Sequence, residues 1–325
     1  MNSSSQILAA LRSNVNGVSG GDLCNRLGIS RAAVWSHIES LRANGFEIIA
    51  SPHRGYQLLH EPDLLLADDI QSQMEAEDLV GSKVIVIQET TSTNDEVARA
   101  AQQNQPEGLV VFAESQTKGR GRLGRKWDSP DGKGLWFSAL LRPALAPSEC
   151  TRLTAATAVA LVRAIAKTSG ITPSIKWPND LLVNGKKVAG ILTEMSAELD
   201  HVHYVIIGVG IDVNQTTSDL TGELKEIATS LKVESGNEVS RSNLAAAVLH
   251  ELSRVYNQIQ NGAFPKIAEE WATNCATLGS QVVIDAGARR FTGRAEALDE
   301  TGALLLRTEH GRLERIMGGD VSIIK

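Results

Sequence analysis

Aromatic residues make up only 4% of this chain, cysteines number three, and no apolar run is long enough to cross a bilayer. Each scarcity removes a class of explanation. A membrane-spanning helix needs about 18 or more largely apolar residues in succession. The N-terminal MNSSSQILAALRSN has neither a basic start nor an apolar stretch of signal-peptide type, so the expected location is the cytoplasm. Cys24, Cys150 and Cys275 lie far apart without Cys-x-x-Cys spacing, which argues against a disulfide framework or a zinc site. His201 and His203 sit two apart but have no third ligand nearby in sequence, so no metal centre is expected there. What is plentiful is ordinary globular material: 325 residues, 42% of them hydrophobic, enough for two or three domains with their own cores.

Charge is unevenly spread. Residues 1–60 hold five arginines against three acids, a balance of +2 in a chain whose net charge is −6. Residues 61–82 then hold seven acids and no Lys or Arg. The shift predicts a boundary after a basic N-terminal domain of residues 1–65, with an acidic linker helix over 66–82.

Within the basic part, Ile7, Leu8 and Leu11 recur at helical spacing, and VSGGDLCNRLGISRAAVWSHIESLRANG continues as two short helices hinged at Gly28. Ser30 suits an N-cap. From it Val34, Ile38 and Leu41 fall on one face, while Ala32, Ala33, Ser36 and Ser40 fall on the other. A helix whose outer face is small and polar can lie deep in a DNA major groove, with Arg31 and Arg42 near phosphates and Trp35 or Ser36 near base edges. FEIIASPHRGYQLL then reads as two strands around a turn bearing His53 and Arg54, a basic wing. The whole resembles a winged helix-turn-helix; a small packing or dimerisation module is the competing reading.

The centre carries SQTKGRGRLGRK, Ser115–Lys126, in which five bases and no acid are interleaved with Gly119, Gly121 and Gly124. Glycines let backbone N–H groups approach a ligand, and guanidinium forks hold phosphate or carboxylate oxygens in pairs. Alone, such a loop fits a solvated nucleic-acid contact equally well. Its companions narrow the choice. VIVIQETTSTNDEVARAA is a strand, a turn at Ser92, and a helix capped by Thr93 or Asn94. SIKWPNDLLVNGKKVAGILTEM is a strand, a Trp-Pro-Asn-Asp turn, and a hairpin tipped by Asn184-Gly185. HYVIIGVGIDVNQ is a strand interrupted by Gly208 and Gly210, where backbone must approach something closely. Leu244–Trp271 reads as helices, and GSQVVIDAGARRFTGRAEALDETGALLLRTEHGRLERIMGGDVSIIK as short strands divided by Gly and Asp-Glu turns.

GRGRLGRKW, KWPND, KKVAGIL and IGVGIDVN, in this order and at these separations, resemble the biotin protein ligase family; with the helix-turn-helix in front, the chain looks like its bifunctional, operon-repressing branch. The resemblance covers essentially the whole length. It implies an α+β multidomain protein: an N-terminal winged helix-turn-helix, a central class II synthetase-like α/β ligase domain over 83–275, and a C-terminal SH3-like small β-barrel over 276–325. It implies that biotin, ATP and Mg²⁺ are used to form biotinoyl-5'-AMP, that a biotin carboxyl carrier protein receives the biotin, that operator DNA is bound through Arg31, Ala32, Trp35, Ser36 and Arg54, and that ligand promotes a homodimer.

By the same likeness Ser92, Thr93, Gln116 and Arg120 surround the ureido ring, with backbone at Gly119 and Gly190 lining the pocket and Trp127 packing on the adenylate; Asn94, Gly121 and Gly208 count with them as cofactor-binding residues. Arg120, Arg122 and Lys187 are the catalytic cations and Lys176 joins them, because a carboxylate attacking the α-phosphate brings two anions together. Asn179 and Asp180 serve the adenylate or Mg²⁺, or stabilise their turn. Where the family usually reads Gly-Ile-Asn, this chain has Gly210-Ile211-Asp212, which puts an acceptor where an amide would both donate and accept. Two other readings fit part of the pattern: a lipoate- or octanoate-type ligase, and a ligand-sensing transcription factor without ligase activity.

Overall fold

A computed structural model describes residues 2–287 and 289–324 of the chain. The first unit is built by its caps. Helices α1 (Ser3–Ser13), α2 (Gly20–Leu27) and α3 (Arg31–Ala43) start at Asn2, Ser19 and Ser30, whose side chains accept hydrogen bonds from the backbone N–H groups of Ser5, Asp22 and Ala33. Gly28 ends α2 in the left-handed conformation, φ 64°. Ile7, Leu8, Leu23, Val34 and Ile38 close a core of their own beneath the hairpin β1 (Glu47–Ser51) and β2 (Gly55–His60). Only glycine fits at position 55, since a Cβ there would lie 2.1 Å from the Val18 carbonyl oxygen.

The segment expected as an acidic linker helix is helical only over Ala67–Gln71 (α4), and it is packed down instead of solvated. Several of its acids have partners. Asp69, 1% exposed, takes Arg12 of α1 and the Ser242 hydroxyl, and Asp78 takes His250 Nδ1 at 3.0 Å. Paired carboxylates remove the repulsion that composition alone suggests would keep the segment extended.

The central sheet contains β3 (Lys83–Thr90), β4 (Leu109–Gln116), β5 (Gly134–Leu141), β6 (Ser174–Lys176), β7 (Asp180–Val183), β8 (Lys186–Ala197) and β9 (Val202–Asp212), in the order β3-β4-β5-β9-β8-β7-β6. Only β3 and β4 run parallel, joined through α5 (Thr93–Gln102). Alternation sets the layers: Leu109, Val111 and Leu140 pack with α5, while Val110, Phe112, Phe137 and Ala139 join the main core. That core also holds the buried faces of α6 (Thr151–Ser169), α9 (Arg241–Gln260) and α10 (Phe264–Thr273). Between β9 and α9 the chain forms two short helices, α7 (Leu224–Ile227) and α8 (Leu231–Ser235).

The C-terminal unit is a five-stranded antiparallel sheet of β10 (Gln281–Ala286), β11 (Arg289–Leu298), β12 (Leu304–Thr308), β13 (Leu313–Ile316) and β14 (Asp320–Ile323), ordered β13-β12-β11-β10-β14. It is tied to α6 through the Thr151 hydroxyl on Thr301 O and Arg152 Nε on Glu300 O. This docking brings the β13–β14 turn to the rim of the central domain.

Candidate active site

A cleft of about 860 Å³ opens over the middle of the central sheet. Its floor is one face of β9. Gly208, Gly210 and Asp212 alternate along this strand, so they point the same way and span about 13 Å at the usual rise per residue. Each glycine is required by what lies above it. A Cβ on Gly208 would lie 2.2 Å from Asn94 Oδ1, and one on Gly210 2.4 Å from the Trp127 ring. Gly190, opposite Gly210 on β8, is likewise covered by Trp127.

At the Gly208 end the lining is neutral and buried. Ser92, Thr93 and Asn94 are each 3% exposed. The expectation that Thr93 or Asn94 caps α5 does not hold: Ser92 is the N-cap, and no side chain there makes a capping bond. Thr93 turns its hydroxyl inward to Ser138 Oγ at 2.7 Å, and Gln116 Oε1 accepts from its backbone N–H at 2.9 Å. Ser138 donates to Asn94 Oδ1, and Asn94 Nδ2 donates to Glu194 at 2.8 Å. Ser138 was missed in the sequence, although a lone hydroxyl within the fully buried strand GLWFSALL is the signal that would have found it.

The glycine-arginine loop closes on itself. Gly119 O accepts from Trp127 N at 2.9 Å, and Gly121 N donates to Arg125 O at 2.7 Å. A Cβ on Gly119 would meet Trp127 O at 2.5 Å. The loop's cations do not form one set. Arg120 lies at the neutral end, bonded to Glu194 and paired with Asp95 at 2.8 Å, and the Glu194 hydrogen bond holds its pKa above the ordinary value. Arg122 reaches the other way, donating to Asn179 Oδ1 at 3.0 Å and Gly319 O at 3.4 Å; burial lowers its pKa. Lys187 stands 2.6 Å from Asp180 and 5.0 Å from the centre of the Trp127 ring. Lys176 lines the same cleft. Arg122, Lys176 and Lys187 all line the cleft, with Lys187 beside Trp127.

At the far end Asp212 is 8% exposed and Gln215, absent from the sequence-based assignment, 3%. Gln215 Nε2 donates to Asp212 Oδ1 at 2.6 Å. Burial pushes the Asp212 carboxyl up to about 8; the Gln215 hydrogen bond and Lys187 oppose this, and Asp128 adds to it.

In the N-terminal unit, Arg31, Ala32, Trp35 and Ser36 are exposed on α3, Trp35 at 57%, and Arg54 is exposed in the wing. Arg42, expected near phosphates, instead turns inward to the Ile48 carbonyl and Glu39. Arg42 sits in the last turn of α3, where positive charge is favoured.

The sequence pattern of the Biotin/lipoate A/B protein ligase family matches residues 85–212, that of an HTH domain residues 4–57, and that of the Biotin protein ligase C terminal domain residues 277–323. Among curated proteins the chain is similar to the bifunctional ligase/repressor BirA of Bacillus subtilis, 39% identical over 306 residues and 94% of each chain. It is 30% identical to the protein of the same name from Escherichia coli, over 97% of this chain and 96% of that one. Among solved structures it matches biotin protein ligase from Aquifex aeolicus in complex with biotin and ATP, with a TM-score of 0.65 and 32% identity over 75% of this chain and 99% of that one.

Proposed function

Because the chain belongs to the biotin protein ligase family, we propose that its cleft binds biotin and ATP in line along β9. The protein activates biotin as biotinoyl-5'-AMP, transfers it to a lysine of a biotin carboxyl carrier domain, and acts through its helix-turn-helix as a repressor of biotin synthesis genes. The observation that carries the site assignment is the order along one strand face: neutral hydrogen-bonding groups by Gly208, Trp127 over Gly210, cations beside it. A urea needs neutral donors and acceptors, which Thr93, Asn94, Gln116 and Ser138 supply. A carboxylate attacking an α-phosphate needs positive charge fixed in advance, which Arg122, Lys187 and Lys176 supply. Arg120 closes the neutral end by holding Glu194 and Asp95.

Among the described residues no group of three or more His, Cys, Asp or Glu gathers as a ready metal cage. That suits Mg²⁺, which is usually held by one or two carboxylates together with substrate phosphates. Asp180, whose Oδ1 is buried without a well-directed hydrogen bond although Lys187 is near, is the carboxylate to hold it. The ion supplies charge to the phosphates when bound.

The domains run 1–65, 83–275 and 276–325, with 66–82 as a docked connector. The protein works in the cytoplasm, and its adenylate favours a homodimer that presents two α3 helices to two operator half-sites. Incubation with biotin, Mg²⁺-ATP and a carrier domain, followed by intact mass measurement, is expected to show the biotinoyl adduct on the carrier. No mass gain, with no biotin-dependent ATP–pyrophosphate exchange, would refute the ligase. Operator affinity is expected to rise with biotin plus ATP above that with biotin alone, in gel shifts at fixed salt. Equal affinity with unchanged sedimentation would refute ligand-promoted dimerisation.

A further inference from the structure

Behind the neutral end of the cleft stands Glu194 on β8, a carboxylate outside the residues that line it. It alternates along the strand with Gly190 and Leu192, which do line it, and so faces the same way. Three elements meet on it. Arg120 of the glycine-arginine loop forks onto the carboxylate, Nε to Oε1 at 3.2 Å and Nη2 to Oε2 at 3.1 Å, while Nη1 of the same guanidinium meets Asp95 on α5 at 2.8 Å. Asn94, also on α5, donates from Nδ2 to Glu194 Oε2 at 2.8 Å. A carboxylate only accepts, so this contact decides which way the Asn94 amide is turned.

That orientation passes along a chain of single protons. With Nδ2 given to Glu194, Asn94 turns Oδ1 to Ser138, whose hydroxyl donates to it. Ser138 is fully buried and has then spent its only proton, so its oxygen accepts from the Thr93 hydroxyl 2.7 Å away. Thr93 Oγ1 also lies 3.3 Å from Gln116 Oε1, but its one proton is engaged by the nearer Ser138. Gln116 is fixed in the same manner: Nε2 donates to Ser129 Oγ, whose own proton goes to Trp127 O, and Oε1 accepts from Thr93 N. The cleft is left with two oxygens side by side, Thr93 Oγ1 and Gln116 Oε1, that have lone pairs to fill and no proton to offer.

We propose that Glu194 is a positioning residue: from outside the cleft it fixes the donor-to-acceptor direction of the chain through Asn94, Ser138 and Thr93, so that this end of the cleft selects an acyl head group bearing N–H donors. This rests on the ligase reading and deepens it. A ureido ring meets the demand, whereas a dithiolane or a plain alkyl end would leave both oxygens buried without a donor. The residue type matters. A glutamine at position 194 could turn either its oxygen or its nitrogen to Asn94 and would release the direction. With the Asn94 amide reversed, Ser138 accepts from Asn94 and donates to Thr93, and Thr93 regains a proton for the ligand.

The test is calorimetric binding, to the full-length protein, of biotin and of its cyclic-carbonate analogue, in which ring oxygens replace both ureido N–H groups; ATP binding measured in parallel reports that each variant is folded. The unmodified protein is expected to prefer biotin by about a hundredfold, because the carbonate leaves two buried acceptors unpaired. Glu194→Gln is expected to shrink that preference about tenfold, by weakening biotin while sparing or improving the carbonate. Ser138→Ala breaks the chain between Asn94 and Thr93, leaves the pair of Glu194 with Arg120 whole, and is expected to shrink the preference by as much. A merely structural role for Glu194 would weaken both ligands together. That result overturns the proposal, as does full preference retained in either variant. Failure of the unmodified protein to bind biotin would instead overturn the ligase reading, and the proposal with it.

Discussion

Two arginines, Arg241 and Arg122, are each drawn out of water, and they differ in what they touch. Arg241, 1% exposed, uses its guanidinium on Asp63 Oδ2 at 3.1 Å, Asp63 O at 2.7 Å, and Glu114 Oε2 at 2.5 Å. Its partners are themselves satisfied: Glu114 Oε1 accepts from Leu65 N, and Asp63 accepts from Asn214 Nδ2. Burial works against its charge, and Glu114 with Asp63 more than offsets that. Arg122 has only two neutral acceptors, one side-chain and one backbone, and no carboxylate bonded to it among the described residues. A cation with every donor used is a structural rivet. A half-buried cation left without an anion is a place for one to arrive.

The largest effect should come from removing the rivet. Arg241→Met leaves Glu114 and part of Asp63 buried without their cation, which typically costs about 3–5 kcal/mol. Urea unfolding is expected to show that loss. A change below about 1 kcal/mol would mean that water compensates the pair and that the contrast with Arg122 is empty. Removing an anion-receiving cation should do the reverse. Lys187→Ala or Arg122→Ala is expected to lower biotin-dependent ATP–pyrophosphate exchange about a hundredfold, or roughly 3 kcal/mol of barrier, with unfolding midpoints nearly unchanged. Unaltered exchange in both variants would remove them from the chemistry.

This contrast was only half legible in the sequence. The helix-turn-helix could be read from Ser30 and Gly28, because caps act over three or four residues. The floor could be read from Gly208 and Gly210, because a glycine within a strand needs a local reason. What sequence could not show was the choice each charge makes among distant partners. Arg120 and Arg122 are two residues apart, yet one meets Glu194, 74 residues on, and the other Gly319, 197 residues on. Composition marked 61–82 as acidic, but Arg12 and His250 turn that acidity into docking contacts. Thr93 has a capping residue's chemistry and spends it on Ser138, because tertiary packing offers a buried partner. Gln215 carried no signal at all; only its burial against Asp212 in the folded chain picks it out.

Asp212 sharpens the comparison as a buried carboxyl without a dedicated cation. Its folded pKa of about 8 lies above the ordinary 3.8. Between those values the folded protein keeps a proton that the unfolded chain has released, so this group's contribution to stability falls as pH rises from about 4 to about 8 and is constant outside that window. Asp212→Asn is therefore expected to gain stability relative to the unmodified protein across that range, by on the order of a few kcal/mol at pH 8 and little at pH 4. A gap in urea stability that is the same at both pH values would show that the carboxyl is not held neutral.

Arg12 lies between the two extremes and should give the smallest effect. It joins α1 of the DNA-binding unit to the ligase by contacting Glu61, Asp69 and Ser72, but it remains 20% exposed, and Glu61 29%. Solvent therefore screens part of the interaction. Asp69 also keeps the Ser242 hydroxyl when Arg12 is gone. Arg12→Met should accordingly cost about 1–2 kcal/mol in urea unfolding, less than Arg241→Met, and should leave pyrophosphate exchange intact because Arg12 is remote from the cleft. Its consequence belongs to the other activity. Two α3 helices can engage two half-sites only if each helix-turn-helix is held at a set angle to its ligase domain, and Arg12 on Asp69 is one of the contacts that hold it. Operator affinity is expected to fall several-fold while affinity for non-specific DNA stays the same, because no phosphate contact is lost. A parallel fall in both would place Arg12 at the DNA surface instead, and an unchanged operator affinity would show that the other contacts of α4 suffice to fix the angle.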